Sequence, residues 1–177
     1  QREFNLLSAP GYPELIGNLE TLNADRKETA FVVGDTPFRL SPNSTAITNY
    51  ANNTAGAADN GEDGLLTTNS FTGVFYPSGF TTDLAGESVA VPPSHMMMRT
   101  IALNDQVAFP WFAPAGFNRG ALNNVQNTKV RLNAEDRNIL YEARINPIAN
   151  FPNGGFVIFG QKTLQQDRSA LDRVNVR

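Results

Sequence analysis

The chain has 177 residues, 41% of them hydrophobic and 18% charged, which suits one domain with a real core and argues against wholesale disorder. A net charge of −3 without a basic patch does not suit a nucleic-acid binder, and the lack of cysteine excludes disulfides and thiolate metal sites. No run approaches the ~20 apolar residues of a membrane helix, and the first residues lack the basic-then-apolar layout of a secretory leader.

Tyr12, Leu15, Ile16, Leu19 and Leu22 recur at helical spacing, with Pro13 placed for a first turn and Arg26 and Lys27 for the negative pole of the dipole. Ala30 to Val33 is short, apolar and β-branched and predicts a buried strand ended by Asp35-Thr36-Pro37. Ser41-Pro42 reads as a cap and first-turn proline for a helix whose narrow apolar face is Ala46, Ile47, Tyr50 and Ala51. From Ala51 to Ser70 the chain is small, polar and Gly-rich, a loop. Its acidic centre from Asp59 to Gly64 fails as a calcium loop, because Ser70 stands where the bidentate Glu is required.

Phe71 to Tyr76 predicts a strand closed by Pro77, and Phe80 to Ser88 a turn-rich connector. Pro92 and Pro93 open a helix through Asn104, with Met97, Met98 and Ile101 on one side. Pro110 and Pro114 bracket a rigid extended connector that presents Trp111 and Phe112 to a core. Asn133 caps a further helix with Asp136 at its third position, and Ile139, Leu140 and Ala143 form its buried face. Two strands follow, Ile145-Asn146-Pro147-Ile148 and Phe156 to Leu164, joined by a turn through Pro152-Asn153-Gly154. Alternation of helices and strands implies an α/β or α+β layered fold.

Candidate chemistry is sparse. Gly155-x-x-x-x-Gly160-Gln161-Lys162-Thr163 approximates a phosphate-binding loop, but Gln161 separates the glycine from the lysine and the middle residues are Phe-Val-Ile-Phe. A phosphate cradle needs small residues whose N–H groups converge on the anion, so a core strand is expected and ATP should not raise the melting temperature. His95 is the single histidine and cannot build a common zinc site. Glu135 and Asp136 suit a helix first turn, and Arg168, Arg173 and Arg177 with Asp167 and Asp172 suit surface ion pairs. No nucleophile, base and orienting group come together.

The order of the blocks goes further. Val91-Pro92-Pro93-Ser94, Asp105, Ala113 to Gly116, Ile145 to Ile148, Phe159 to Leu164 and Val174 to Arg177 resemble, in sequence and spacing over half the chain, the sheath proteins of contractile bacteriophage tails. Phe159 stands where Trp is frequent in that family, Lys162 where Arg is, and His95 where Gly is. The resemblance implies a structural, non-enzymatic subunit that stacks as hexameric rings of identical neighbours around the tail tube protein. Contraction, triggered by the baseplate, then drives the tube through the host envelope. It implies no cofactor, no nucleic acid and no membrane partner, assembly in the host bacterial cytoplasm and a place in the virion tail.

It also implies that residues 1–177 are one core-domain fragment of a larger subunit, with about 165–177 opening an inner, tube-facing domain. Without that domain and the terminal arms, a monomer that builds no tubes is expected. The residues that carry the structural family motif are Pro92, Pro93, Trp111, Pro114, Gly116, Arg119, Asn146, Pro147, Gly160, Lys162, Thr163 and Leu164, and Trp111, Pro114, Arg119 and the strand Phe156 to Leu164 are expected to be structurally decisive. Rival readings are the sheath of a phage-derived injection system, of type VI secretion or tailocin type, and a small α/β hydrolase or nucleotide-binding enzyme.

Overall fold

Residues 3–54, 64–65, 68–109 and 112–166 are described by a computed structural model. Residues 59–63 of the predicted loop's acidic centre, Trp111 and the C-terminal arginines lie outside them. The frame is a five-stranded sheet in which β1 (Leu6–Leu7), β2 (Phe31–Asp35), β3 (Thr72–Tyr76) and β7 (Ile145–Phe151) run parallel, and β8 (Gly155–Ile158) closes one edge antiparallel to β7. β2 and β3 are buried along their whole length. Continuous Val- and Phe-rich runs without alternation are what a sheet covered on both faces requires.

Among the described residues, four helices supply the cover. On one face α3 (Pro93–Val107) lays Met96, Met97 and Ile101 over Phe31, Val33, Phe75, Ile148 and Ile158. On the other, α1 (Ile16–Asp25), α2 (Ser44–Ala51) and α4 (Ala134–Glu142) contribute Ile16, Ile47, Tyr50 and Leu140 to a cluster with Val74, Tyr76 and Ile145. Alternate residues of β3 thus feed separate cores, and the chain is a layered α/β domain. Pro147 is tolerated inside the sheet because its pair with Tyr76 is the last of the β3–β7 ladder.

Several expectations are corrected. The apolar stripe of α1 is out of phase: Tyr12 and Leu22 are exposed, while Pro13, Ile16, Glu20 and Asn23 are buried. A 3₁₀ turn over Pro13–Leu15 precedes the α-helix, and its roughly 120° per residue against 100° rotates everything after Tyr12. The buried polar groups are satisfied at a distance. Asn23 accepts from the N–H of Ala30 and donates to its carbonyl, and Glu20 accepts from the Thr72 hydroxyl.

The α2 cap is Asn43 rather than Ser41, its side chain accepting from the Ala46 N–H at 2.7 Å. The connector from Phe80 to Ser88 is a hairpin: β4 (Gly79–Thr82) pairs with β5 (Ser88–Val91) and with β6 (Asn127–Thr128) in a second small sheet. The final strand ends at Ile158, not Leu164. The capping box of Asn133 and Asp136 forms as expected, and Pro152 and Asn153 occupy the centre of the β7–β8 turn, closed by Gly154 N–H to the Phe151 carbonyl.

Candidate functional site

Asn146 sits on β7, fully buried, where a neutral amide can both give and take. Its Nδ2 donates to the carbonyls of Val74 at 3.1 Å and Lys162 at 2.7 Å, and its Oδ1 accepts from the Lys162 N–H at 2.7 Å. One side chain therefore ties β3, β7 and the segment after β8 together. The close approach depends on Gly160, where an added Cβ would lie 2.8 Å from Asn146 Oδ1 and 2.9 Å from Pro147 Cδ.

That departure from β8 explains why the predicted strand stops early. Once Gly160 drops onto Asn146 and Pro147, the chain crosses back over the sheet instead of extending β8. The Leu164 N–H donates to the Thr72 carbonyl at 2.9 Å, and Thr163 and Leu164 are buried. Lys162 Nζ donates to the Tyr141 carbonyl at 2.9 Å and lies 3.6 Å from the centre of the Tyr141 ring. The lysine of the near-miss phosphate loop is thus bound to α4, and the residues before it are β8.

The Ala-Pro-Ala-Gly block covers the outer edge of β8. Gly116 N–H donates to the Ile158 carbonyl, Ile158 N–H to the Gly120 carbonyl and Leu122 N–H to the Phe156 carbonyl, each at 2.8 Å. Edge N–H and C=O groups that would otherwise template aggregation are satisfied within the chain. Gly116 adopts φ +79°, in the left-handed region where glycine costs nothing, and Pro114 is buried beside it. Arg119 is exposed, with its guanidinium 3.8 Å from the centre of the Phe112 ring.

Pro92 and Pro93 lead to a second polar cluster, which the sequence reading missed. Pro92 is the N-cap of α3 and has no side chain able to cap it. The cap comes from Asp35 at the end of β2: Oδ1 accepts from the Ser94 N–H at 2.6 Å, and Oδ2 accepts from the Ser94 hydroxyl and the Gly11 N–H at 2.7 Å each. Negative charge at a helix N-terminus is favourable. Burial pushes the Asp35 carboxyl up, while the Gly11 and Ser94 hydrogen bonds and the charge of His95 pull it part of the way back. Burial also pushes the phenols of Tyr50 and Tyr76 up. The only local sign of this role was a lone acid ending an apolar strand.

Eleven of the twelve residues marked from sequence are described, and they fall into three places. Asn146, Pro147, Gly160, Lys162, Thr163 and Leu164 form the seam, Pro114, Gly116 and Arg119 flank the β8 edge, and Pro92 and Pro93 start α3. Asn146, Lys162, Leu164 and Gly116 among them hold backbone segments together by hydrogen bonds. Among the described residues, no group of three His, Cys, Asp or Glu could hold a metal ion, and no helix is long and apolar enough to cross a membrane.

No protein-family model matches the chain. Over 76 residues, 43% of its length, it is 49% identical to the tail sheath protein of Vibrio phage KVP40, and this match spans 11% of that protein. It is 38% identical over 76 residues to the tail sheath protein of Enterobacteria phage T4, covering 43% of this chain and 12% of that one. Among solved structures, the contracted sheath complex of the extracellular contractile injection system PVC matches 100% of the chain and 44% of its own, with TM-score 0.74 and 26% identity. The contracted helical sheath of the anti-feeding prophage matches in fold over 97% of this chain and 42% of its own, with TM-score 0.67 and 22% identity. Over 43% of its length the chain is thus similar to phage tail sheath proteins, and its fold matches that of a contractile sheath.

Proposed function

We propose that the chain is the core segment of a contractile phage tail sheath subunit, which surrounds the tail tube and shortens to drive it through the host envelope. One coincidence carries this reading: 49% identity to a phage sheath protein over 43% of the chain joins a fold match to a contracted sheath over all of it. Its partners are neighbouring copies in hexameric rings, the tube protein and the baseplate. It works in the virion tail after assembly in the host cytoplasm. Residues 1–177 make one domain of the larger subunit, and the segment from about 165 leads toward a tube-facing domain. Contraction draws on the difference between two packings of one set of rigid subunits, so no nucleotide is consumed. A core stapled by buried hydrogen bonds suits such a subunit, because sliding must occur between copies and not within them.

A phage tail is favoured over a bacterial injection system by the phage relatives, which reach 49% and 38% identity over 43% of the chain. The test is a chimera in which this segment replaces its counterpart in a phage sheath protein. Hollow cylinders in negative stain are the expected result. A chimera that folds, by circular dichroism and cooperative melting, yet never polymerises would overturn the reading.

A further inference from the structure

Three phenylalanines form a surface cluster at the end of the β7–β8 hairpin, outside both cores. Phe151 lies 5.0 Å between ring centres from both Phe117 and Phe159, which are 54% and 43% exposed. Arg137 of α4 reaches over it, 5.0 Å from the Phe151 ring and 5.9 Å from the Phe159 ring. Phe117 packs directly on the turn, since a Cβ added at Gly154 would lie 2.6 Å from Phe117 Cδ1. Wet aromatic rings grouped around a guanidinium favour an apolar group flanked by carboxylates.

The same chain carries a segment of that chemistry on another element. The turn of the β4–β5 hairpin reads Asp83-Leu84-Ala85-Gly86-Glu87, with two acids, no base and Leu84 fully exposed. The turn is preorganised: Asp83 Oδ1 accepts from the N–H groups of Ala85 at 2.8 Å and Glu87 at 2.9 Å, and Asp83 N–H donates to the Glu87 carbonyl. Because Leu84 is fully exposed, it does not meet the aromatic cluster of its own copy.

We infer that the aromatic cluster is the docking site for the β4–β5 hairpin tip of a second copy of this chain, Leu84 against the phenylalanines and Glu87 facing Arg137. Knob and patch lie on different elements, so the contact can be repeated head-to-tail from copy to copy, as an array of identical subunits requires. This rests on the sheath reading for its occupant and names the neighbour's contacting residues.

The chain has no cysteine, so an engineered disulfide is an unambiguous reporter. One copy carries Ala85→Cys and another Asn153→Cys, in the exposed turn beside Phe151 and Gly154. Oxidising the mixture at millimolar concentration should give mixed dimers, while either variant alone should give few. Leu84→Asp, which is too exposed to disturb folding, should abolish the mixed dimer. Arg137→Glu should lower its yield about tenfold, and Glu87→Arg in the other copy should restore it. No mixed dimer, or equal cross-linking with Leu84→Asp present, overturns the contact. Chimeric cylinders that form without this disulfide would sink the contact alone; mixed dimers from a chain whose chimera never polymerises would sink the sheath reading alone.

Discussion

Asn146 and Asp35 are both buried polar side chains tying sequence-distant segments together, yet their chemistry is opposite. Asn146 meets two carbonyls and one N–H, so its site needs a group that both donates and accepts. Asp35 meets two N–H groups and a hydroxyl, so an acceptor alone suffices. A carboxylate there also opposes the partial positive charge of the α3 N-terminus. The Asn146 amide does not titrate, whereas the staple at Asp35 does. The sheet is thus fastened on one side by a pH-indifferent lock and on the other by a pH-sensitive one.

Asn146→Asp should have the largest effect, because it turns an ionised acceptor toward two carbonyls. A loss of about 3–5 kcal/mol, the scale of an uncompensated buried charge, is expected in urea unfolding. A loss below 1 kcal/mol at neutral pH would mean that the seam is wet and the contrast false. Asp35→Ala should come next, at about 3 kcal/mol for stranded donors, with faster hydrogen exchange at the first amides of α3. Unchanged exchange there would show that the helix start does not depend on Asp35.

Gly160→Ala adds one methyl against Asn146 and Pro147 and should cost about 1–3 kcal/mol, as overpacking does. Full stability in this variant would show that the crossing is looser than its distances imply.

The smallest effect is the most specific. Because the folded-state pKa of Asp35 is raised, the native state holds its proton more tightly than the unfolded chain does. Its contribution is then greatest below the unfolded value and declines as pH rises from 3.8 through the raised value. Urea titrations across mildly acid pH should show this slope in the natural chain and not in Asp35→Asn. The same slope in both proteins would assign it to another group.

The parts legible in sequence were those settled within a few residues. The Asn133–Asp136 capping box needs only its own first turn, and the β7–β8 turn needs only Pro152, Asn153 and Gly154. The β-branched run of β2 can hardly avoid burial. The order of the blocks also pointed to the sheath family, and two of them, Ile145 to Ile148 and Phe159 to Leu164, meet in one folded seam. The spacing could not say that Asn146, 16 residues from Lys162 and 72 from Val74, would reach both backbones.

Where tertiary partners supplied the decisive energy, sequence misled or was silent. The phase of α1 turned on a 3₁₀ entry and on distant partners for Glu20 and Asn23. The β4–β5 hairpin looked like a connector because its strands are only four residues long, and pairing with β6 holds it in place. Asp35 looked like a strand terminator, since its partner Ser94 lies 59 residues away. Local propensity chose the elements of this protein. The meeting of backbone donors and acceptors across the sheet, where an unpaired buried group costs more than any propensity gains, decided how they are joined.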